Sequence, residues 1–277
     1  MKARIAFVFL CLTWLAGCSV SRVAYNNADL FLRWQANHYL DFQDEQTEEL
    51  DRRLAAFLAW HRAKALPQYA QLAEEAAARL QRGLKRADLE WSYDAVQAQV
   101  REALGAAAGE AAGLLDRLSP AQIDHLEKRL AEDNRKFAKD RVQGTMEERH
   151  QRRVKRNLER LEEWFGPLDD TQAERVRRYS ARAPFSGDMQ DQDRKRRQAE
   201  FLAMLRAREA KRRLAPWLQD WEAGRAPEYA QATLATRNEY MDLLLDLDRT
   251  LSTEQRQHVA GRLQRFAALF DSLSRQP

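Results

Sequence analysis

The chain is poor in what β-sheets are made of. Isoleucine occurs twice in 277 residues, at Ile5 and Ile123, amid abundant Ala, Leu, Arg, Glu and Gln. So few stiff β-branched side chains argue against any sizeable sheet. Glycine (10) and proline (7) are scarce, which excludes collagen-like and low-complexity chains. Cysteine occurs only as Cys11 and Cys18, so no disulfide framework holds the fold and stability must come from packing. The one long apolar run is Ile5 to Leu15, interrupted by Thr13. Eleven residues at about 1.5 Å each cannot cross a hydrocarbon core of about 30 Å. Signatures of catalysis are missing too: there is no glycine-rich phosphate loop, no Gly-x-Ser-x-Gly elbow and no His-Glu-x-x-His. The expectation is a non-enzyme without metal or cofactor.

What is present at the start of the chain has a clear order. Lys2 and Arg4 precede the apolar run, which ends in Leu15-Ala16-Gly17-Cys18-Ser19. Charge, short apolar core and small residues make a secretory signal over residues 1–17. The Leu-small-small-Cys ending resembles the lipobox of bacterial lipoproteins, in which the cysteine sulfur carries diacylglycerol and becomes the first residue of the mature chain. The resemblance implies lipidation of Cys18, by diacylglycerol and palmitate-like acyl chains. Ser19, rather than Asp, at the next position implies the outer membrane, facing the periplasm. Two or three acyl chains anchor a protein where one binds only marginally. Loss of Lys2 and Arg4 would bring Lys+Arg from 46 to 44 against 42 Asp+Glu. A net charge of about +2 and this compartment exclude a nucleic-acid binder.

The remainder reads as an all-α, elongated multi-helix bundle with one or more long helices behind a short tether. Residues 18–41 are the lipidated tether and first helix. Apolar side chains then follow a helical period through residues 44–64 and 93–117, and Pro67 is expected to open the helix between them. Pro120 to Phe165 is either one helix of about 69 Å, projecting as a solvated arm, or two helices broken near Gly144. Residues 179–192 carry Pro184, Ser186 and Gly187 and form the expected internal loop. Helices resume at 193–223, 228–249 and 253–273. Gly105, Gly109 and Gly113, spaced by four, predict a smooth strip for close helix packing.

A helix-start signal recurs. Leu118-Ser119-Pro120-Ala121-Gln122 places Ser at the N-cap and Gln three residues on, a capping box, with Leu118 and Ile123 as its apolar staple. Leu251-Ser252-Thr253-Glu254-Gln255 repeats it, Leu168-Asp169-Asp170-Thr171-Gln172 does so with Asp, and Phe42-Gln43-Asp44-Glu45-Gln46 is a weaker fourth case. The starts at 42 and 118 are 76 apart, and those at 168 and 251 are 83 apart. This spacing predicts a duplicated helical unit with halves near 42–165 and 166–277.

Basic residues cluster on helical faces. Arg149, Arg152, Arg153, Arg156 and Arg160 share one face of a helix whose other face carries Val154, Leu158, Leu161 and Phe165. Such a face suits anionic phospholipid, lipopolysaccharide or an acidic protein patch; it equally suits a solvated surface balanced by acids elsewhere in the chain. A second cluster runs from Arg194 to Arg213. The histidines His125 and His258 lie at equivalent places after their caps and read as structural.

The lipobox, then Tyr25-Asn26-Asn27-Ala28-Asp29, then repeated Leu-Ser/Thr-x-x-Gln starts, Asp133-Asn134-Arg135-Lys136-Phe137 and Leu161-Glu162-Glu163-Trp164-Phe165-Gly166 resemble a family of uncharacterised all-helical proteobacterial envelope lipoproteins. The helix-start motif is also similar to that of small periplasmic stress chaperones of the Spy and CpxP type. The family resemblance implies an all-helical envelope lipoprotein and no particular activity. The expectation is a lipid-anchored, non-enzymatic periplasmic interaction protein, chaperone-like or scaffolding, held to the membrane by its lipid and meeting an envelope protein partner. The alternative is a contact module for anionic phospholipid or lipopolysaccharide.

Overall fold

The computed structural model describes the backbone of residues 18–276 and side chains from Arg22 onward. The expected signal, 1–17, lies outside the described residues, as does the side chain of Cys18. Among the described residues there is no strand, and the all-α expectation holds. The helices are α1 (Cys18–Asn26), α2 (Ala28–Leu40), α3 (Asp44–Trp60), α4 (Leu66–Gln81), α5 (Arg86–Leu115), α6 (Pro120–Arg141) and α7 (Met146–Phe165). They are followed by α8 (Asp170–Arg182), α9 (Gly187–Arg206), α10 (Ala210–Gln219), α11 (Pro227–Asp248) and α12 (Thr253–Ser274).

Several boundaries differ from the sequence reading. The tether is helical from Cys18, and Arg22 on α1 already bonds Ser272 of α12 at 3.0 Å. Pro67 lies in the first turn of α4, as expected, but no loop separates that helix from α3. A π-helical turn, His61–Ala65, joins α3 to α4, and its wider loop is closed by the Leu66 N–H on the His61 carbonyl. One extra residue per turn accommodates a proline that would clash with a regular α ladder. The single long rod over 120–165 is excluded: α6 stops at Arg141 and α7 restarts at Met146. Gly144, with φ +98°, makes the turn, and Thr145 with Glu148 forms a further capping box. The 179–192 loop shrinks to 183–186, while an unexpected break at 207–209 separates α9 from α10 around Arg208, φ +55°. The glycine strip serves close packing at its ends. A Cβ on Gly105 would lie 2.5 Å from the Gln219 amide nitrogen and one on Gly113 would touch Lys211, but one on Gly109 would meet nothing within 4 Å.

The capping boxes meet in pairs. Gln122 accepts from the Ser119 N–H at 2.9 Å and donates both to Gln46 Oε1 (2.7 Å) and to the Asp41 carbonyl (2.9 Å). Gln46 closes its own box on the Gln43 N–H at 3.0 Å. The second pair repeats this: Gln172 donates to Gln255 Oε1 (2.9 Å) and to the Thr250 carbonyl (3.0 Å), and Gln255 donates back to Gln172 Oε1 (2.9 Å) and to the Pro167 carbonyl (2.8 Å). Each glutamine thus takes the N–H of its own N-cap and bonds the glutamine that closes a second helix start, where N–H groups otherwise lack partners. Gln172 is wholly buried, and Gln122 nearly so.

Two cores follow these pairs position for position. The residue seven places past each N-cap is buried: Leu50, Leu126, Val176 and Val259. So is the residue five before the second cap of each pair, Leu114 and Leu247. Leu50, Leu114 and Leu126 share one core with Leu202 and Leu205 of α9 and Leu214 of α10. Val176, Leu247 and Val259 share the other with Leu161 and Phe165 of α7 and Leu80 of α4. The sequence halves therefore interlock, with α4 packed along α12 and α9 along α6.

Removing a buried amide that closes its own N-cap and bonds the partner glutamine strands donors and acceptors together. Gln172→Ala is expected to lower unfolding free energy by about 3 kcal/mol and Gln46→Ala by about 1. Gln172→Ala/Gln255→Ala should cost less than the sum of the single changes, as measured by urea titration.

Candidate functional site

Cys18 heads α1, and that helix runs to an aromatic cluster. The Tyr25 hydroxyl bonds His61 Nδ1 at 2.9 Å, and the Arg62 guanidinium stands 5.6 Å from the Tyr25 ring centre. Phe57 and Tyr69 rings lie 5.8 and 5.5 Å from the imidazole. The π turn places His61 at this junction, and burial pushes it down to about 4. Burial likewise pushes the Tyr69 phenol up to about 12. A neutral imidazole bonded to an un-ionised phenol works as a lock between α1 and the α3–α4 rod. Beside it an open groove of about 580 Å3 is lined by Leu30, Arg33, Leu54, Leu58 and Ala59. Val23, Leu30 and Trp34, spaced seven and four apart on α1 and α2, are each more than half exposed. They place an apolar stripe immediately behind Cys18.

The five arginines of the α7 face divide into two groups. Arg149, Arg152 and Arg153 are committed within the protein. Arg149 pairs with Asp188 at 2.7 Å, and Arg152 donates to the Gln143 carbonyl. Arg153 donates to the carbonyls of Ser180 (3.1 Å), Ala183 and Pro184 (2.7 Å), closing the C-terminal end of α8, with its guanidinium 3.8 Å from the Phe185 ring centre. Arg156 and Arg160 have neither a hydrogen-bond acceptor nor a carboxylate in ion-pair range among the described residues. Desolvation, then the charges of Arg141, Arg152, Arg153 and Arg160, push Arg156 down to about 10. The second basic cluster is mostly spent internally: Arg196 on Asp193 and Glu200, Arg197 on the Trp217 carbonyl, Arg206 on Glu127, and Arg212 and Arg213 on Glu209.

Cys18 begins α1, whereas the basic face lies on α7. His125 bonds the His38 carbonyl at 3.1 Å, a structural role, whereas His258 is exposed and Arg262 of the same helix donates to the Glu163 carbonyl. His61 is the residue sequence reasoning missed, at the junction of α1 with the α3–α4 rod. Pro67 so close to His61 was the available signal for a helix irregularity.

His61 carries a pH signature. Its folded pKa lies below its unfolded value near 6.5, so between pH 6.5 and about 4 the unfolded chain binds the extra proton. Its contribution is complete above pH 6.5 and is lost as pH falls toward 4. Thermal or urea melts should show a loss of about 2 kcal/mol across that window, which His61→Phe removes relative to the parent chain.

No curated protein matches this chain, and no solved structure matches it. A family model matches residues 38–230, from the last turn of α2 into the start of α11. That span is well over half of the sequence, and the chain belongs to this family, one of unknown function (DUF6279).

Proposed function

We propose that the protein is a lipid-anchored, non-catalytic interaction protein of the periplasmic face of the outer membrane, scaffolding or chaperone-like in its action. The observation that carries this reading is the sequence Leu15-Ala16-Gly17-Cys18 directly before α1, followed by the exposed stripe Val23, Leu30 and Trp34. Lipid on Cys18 would bring that stripe to the bilayer surface, where Trp and aliphatic side chains are at home and Arg33 can keep its charge in water. Among the described residues no helix is long and apolar enough to cross a membrane. The groove beside α2 offers half-apolar surface for an envelope protein segment. The recurrence of cap pair and buried positions supports duplication of one helical unit as the origin of this scaffold.

A second reading has its own support. Among the described residues Arg156 and Arg160 make no hydrogen bond or ion pair, which favours contact with an anionic phospholipid or lipopolysaccharide.

Mass spectrometry of the protein from bacterial membranes is expected to find an N-terminal peptide starting at Cys18 with a thioether-linked diacylglycerol. Cys18→Ala should abolish the modification. An unmodified sulfur at position 18 in the mature chain rejects the anchor.

A further inference from the structure

Few side chains hold α1 to the rest of the bundle. Arg22 bonds Ser272 of α12 at 3.0 Å, the Tyr25 hydroxyl bonds His61 Nδ1 at 2.9 Å, and Tyr25 packs on the small cluster of Leu66, Leu269 and Leu273. α2, by contrast, is tied down without α1. Arg33 pairs with Asp51 at 3.2 Å, the His125 ring bonds the His38 carbonyl, and the Tyr39 hydroxyl donates to Asp133. Asn27 divides the two helices. Its side-chain amide and its backbone N–H both donate to the Val23 carbonyl, which closes α1 before α2 begins at Ala28. Rotation at Asn27 therefore moves α1 alone.

His61 stands under α1 in a setting that suits an uncharged ring. Besides Tyr25 of α1, with ring centres 5.8 Å apart, it faces Phe57 and Trp60 of α3 at 5.8 and 6.3 Å and Tyr69 of α4 at 5.5 Å. Phe270 of α12 lies behind Tyr69. The charged groups around this cluster are Arg62 of the same turn, over the Tyr25 ring, and Glu102 of α5, which bears on Tyr69. Among the described residues no carboxylate lies in ion-pair range of His61, and burial holds the imidazole below its ordinary range. A proton on it sets a second cation next to Arg62 with no acid to answer it. Aromatic faces offset only part of that cost. The bond to Tyr25 can survive protonation, with the ring N–H donating to the hydroxyl oxygen, so the conflict lies in the buried charge.

We infer that α1 is a latch opened by protonation of His61: in acid the helix turns away about Asn27 and lets the imidazolium reach water, while α2 and the rest of the bundle stay packed. Phe57, Trp60 and Tyr69 belong to the continuous α3–α4 rod, along which α12 packs, so α1 is the cover that can leave. Once free, its nine residues are too few to hold a helix in water. The segment then spans up to about 30 Å, where the docked helix spans about 14 Å. With lipid on Cys18, as proposed above, that difference lengthens the tether between bilayer and bundle. The opening itself does not depend on the lipid.

The test is amide hydrogen exchange read by mass spectrometry on the full chain in a neutral maltoside detergent, with protection corrected for the intrinsic pH dependence of exchange. Between pH 7 and pH 4.5 the amides of residues 22–27 should lose protection by about 100-fold, tenfold for each of the two units below the free imidazole value. Those of α4 and α12 should keep theirs. His61→Phe keeps a ring, and His61→Gln keeps an acceptor for the Tyr25 hydroxyl. Both are neutral, and with helicity checked by circular dichroism they should hold residues 22–27 as protected at pH 4.5 as at pH 7. Unchanged protection of residues 22–27 in the parent overturns the latch. A loss that persists in both neutral variants does so too, as does a loss shared by α12, which would mean that the whole fold opens. None of these results touches the lipid anchor, which stands or falls on the mass of the Cys18 peptide.

Discussion

The fold hangs on one exchange, a glutamine amide shared between two helix N-termini. A helix start leaves N–H groups without partners, and two starts facing one another double the problem and oppose their positive dipole ends. Gln122 with Gln46, and Gln172 with Gln255, answer it with neutral groups. Each carbonyl oxygen takes its own N-cap N–H, and the amide nitrogens reach across to the partner oxygen and, in three of the four glutamines, to a loop carbonyl. Because every donor and acceptor has a fixed geometry, the pair sets where α3 meets α6 and where α8 meets α12. The buried positions seven residues past each cap are a consequence of that register.

Helix C-termini are satisfied by a complementary device. Arginines from other helices donate to last-turn and loop carbonyls: Arg256 to Leu80 and Asp248, Arg153 to Ser180 and Ala183, Arg197 to Trp217, and Arg262 to Glu163. A cation at a helix C-terminus also meets the negative end of its dipole. Many guanidiniums of this basic chain are thus engaged at helix ends within the protein. This device also accounts for a core without cysteine, since polar side chains lock the helices where a small disulfide-bonded domain would use covalent links.

Much of this was legible in the sequence, because capping obeys local chemistry. Ser119, Asp169 and Ser252 with a glutamine three residues on announce their helices, and α11 and α12 begin and end within a residue or two of expectation. Pairing of the boxes was not legible, since Gln46 and Gln122 are 76 residues apart and only the fold brings them together. The Thr145 box was legible and overlooked: Thr-x-x-Glu comes directly after Gly144, and it decides between one helix and two. Periodicity located Arg149 through Arg160 on one face but could not say which of them turn inward, because the α8–α9 loop that receives Arg153 has no regular pattern. The segment around Pro67 misled because an α period cannot register one additional residue in a turn.

That additional residue fixes the phase of α4. Each residue in a helix advances the side-chain direction by about 100°. Leu66, Ala70, Ala73 and Ala77 present the seam on which α12 lies, and they do so because the wide turn at 61–65 has rotated α4 relative to α3. Deleting a single residue there would leave the rod nearly as long and its composition unchanged, yet swing that seam toward water and expose Leu269 and Leu273. The seam between α4 and α12 is thus governed by angle rather than reach, and the residue count of this one rod sets it.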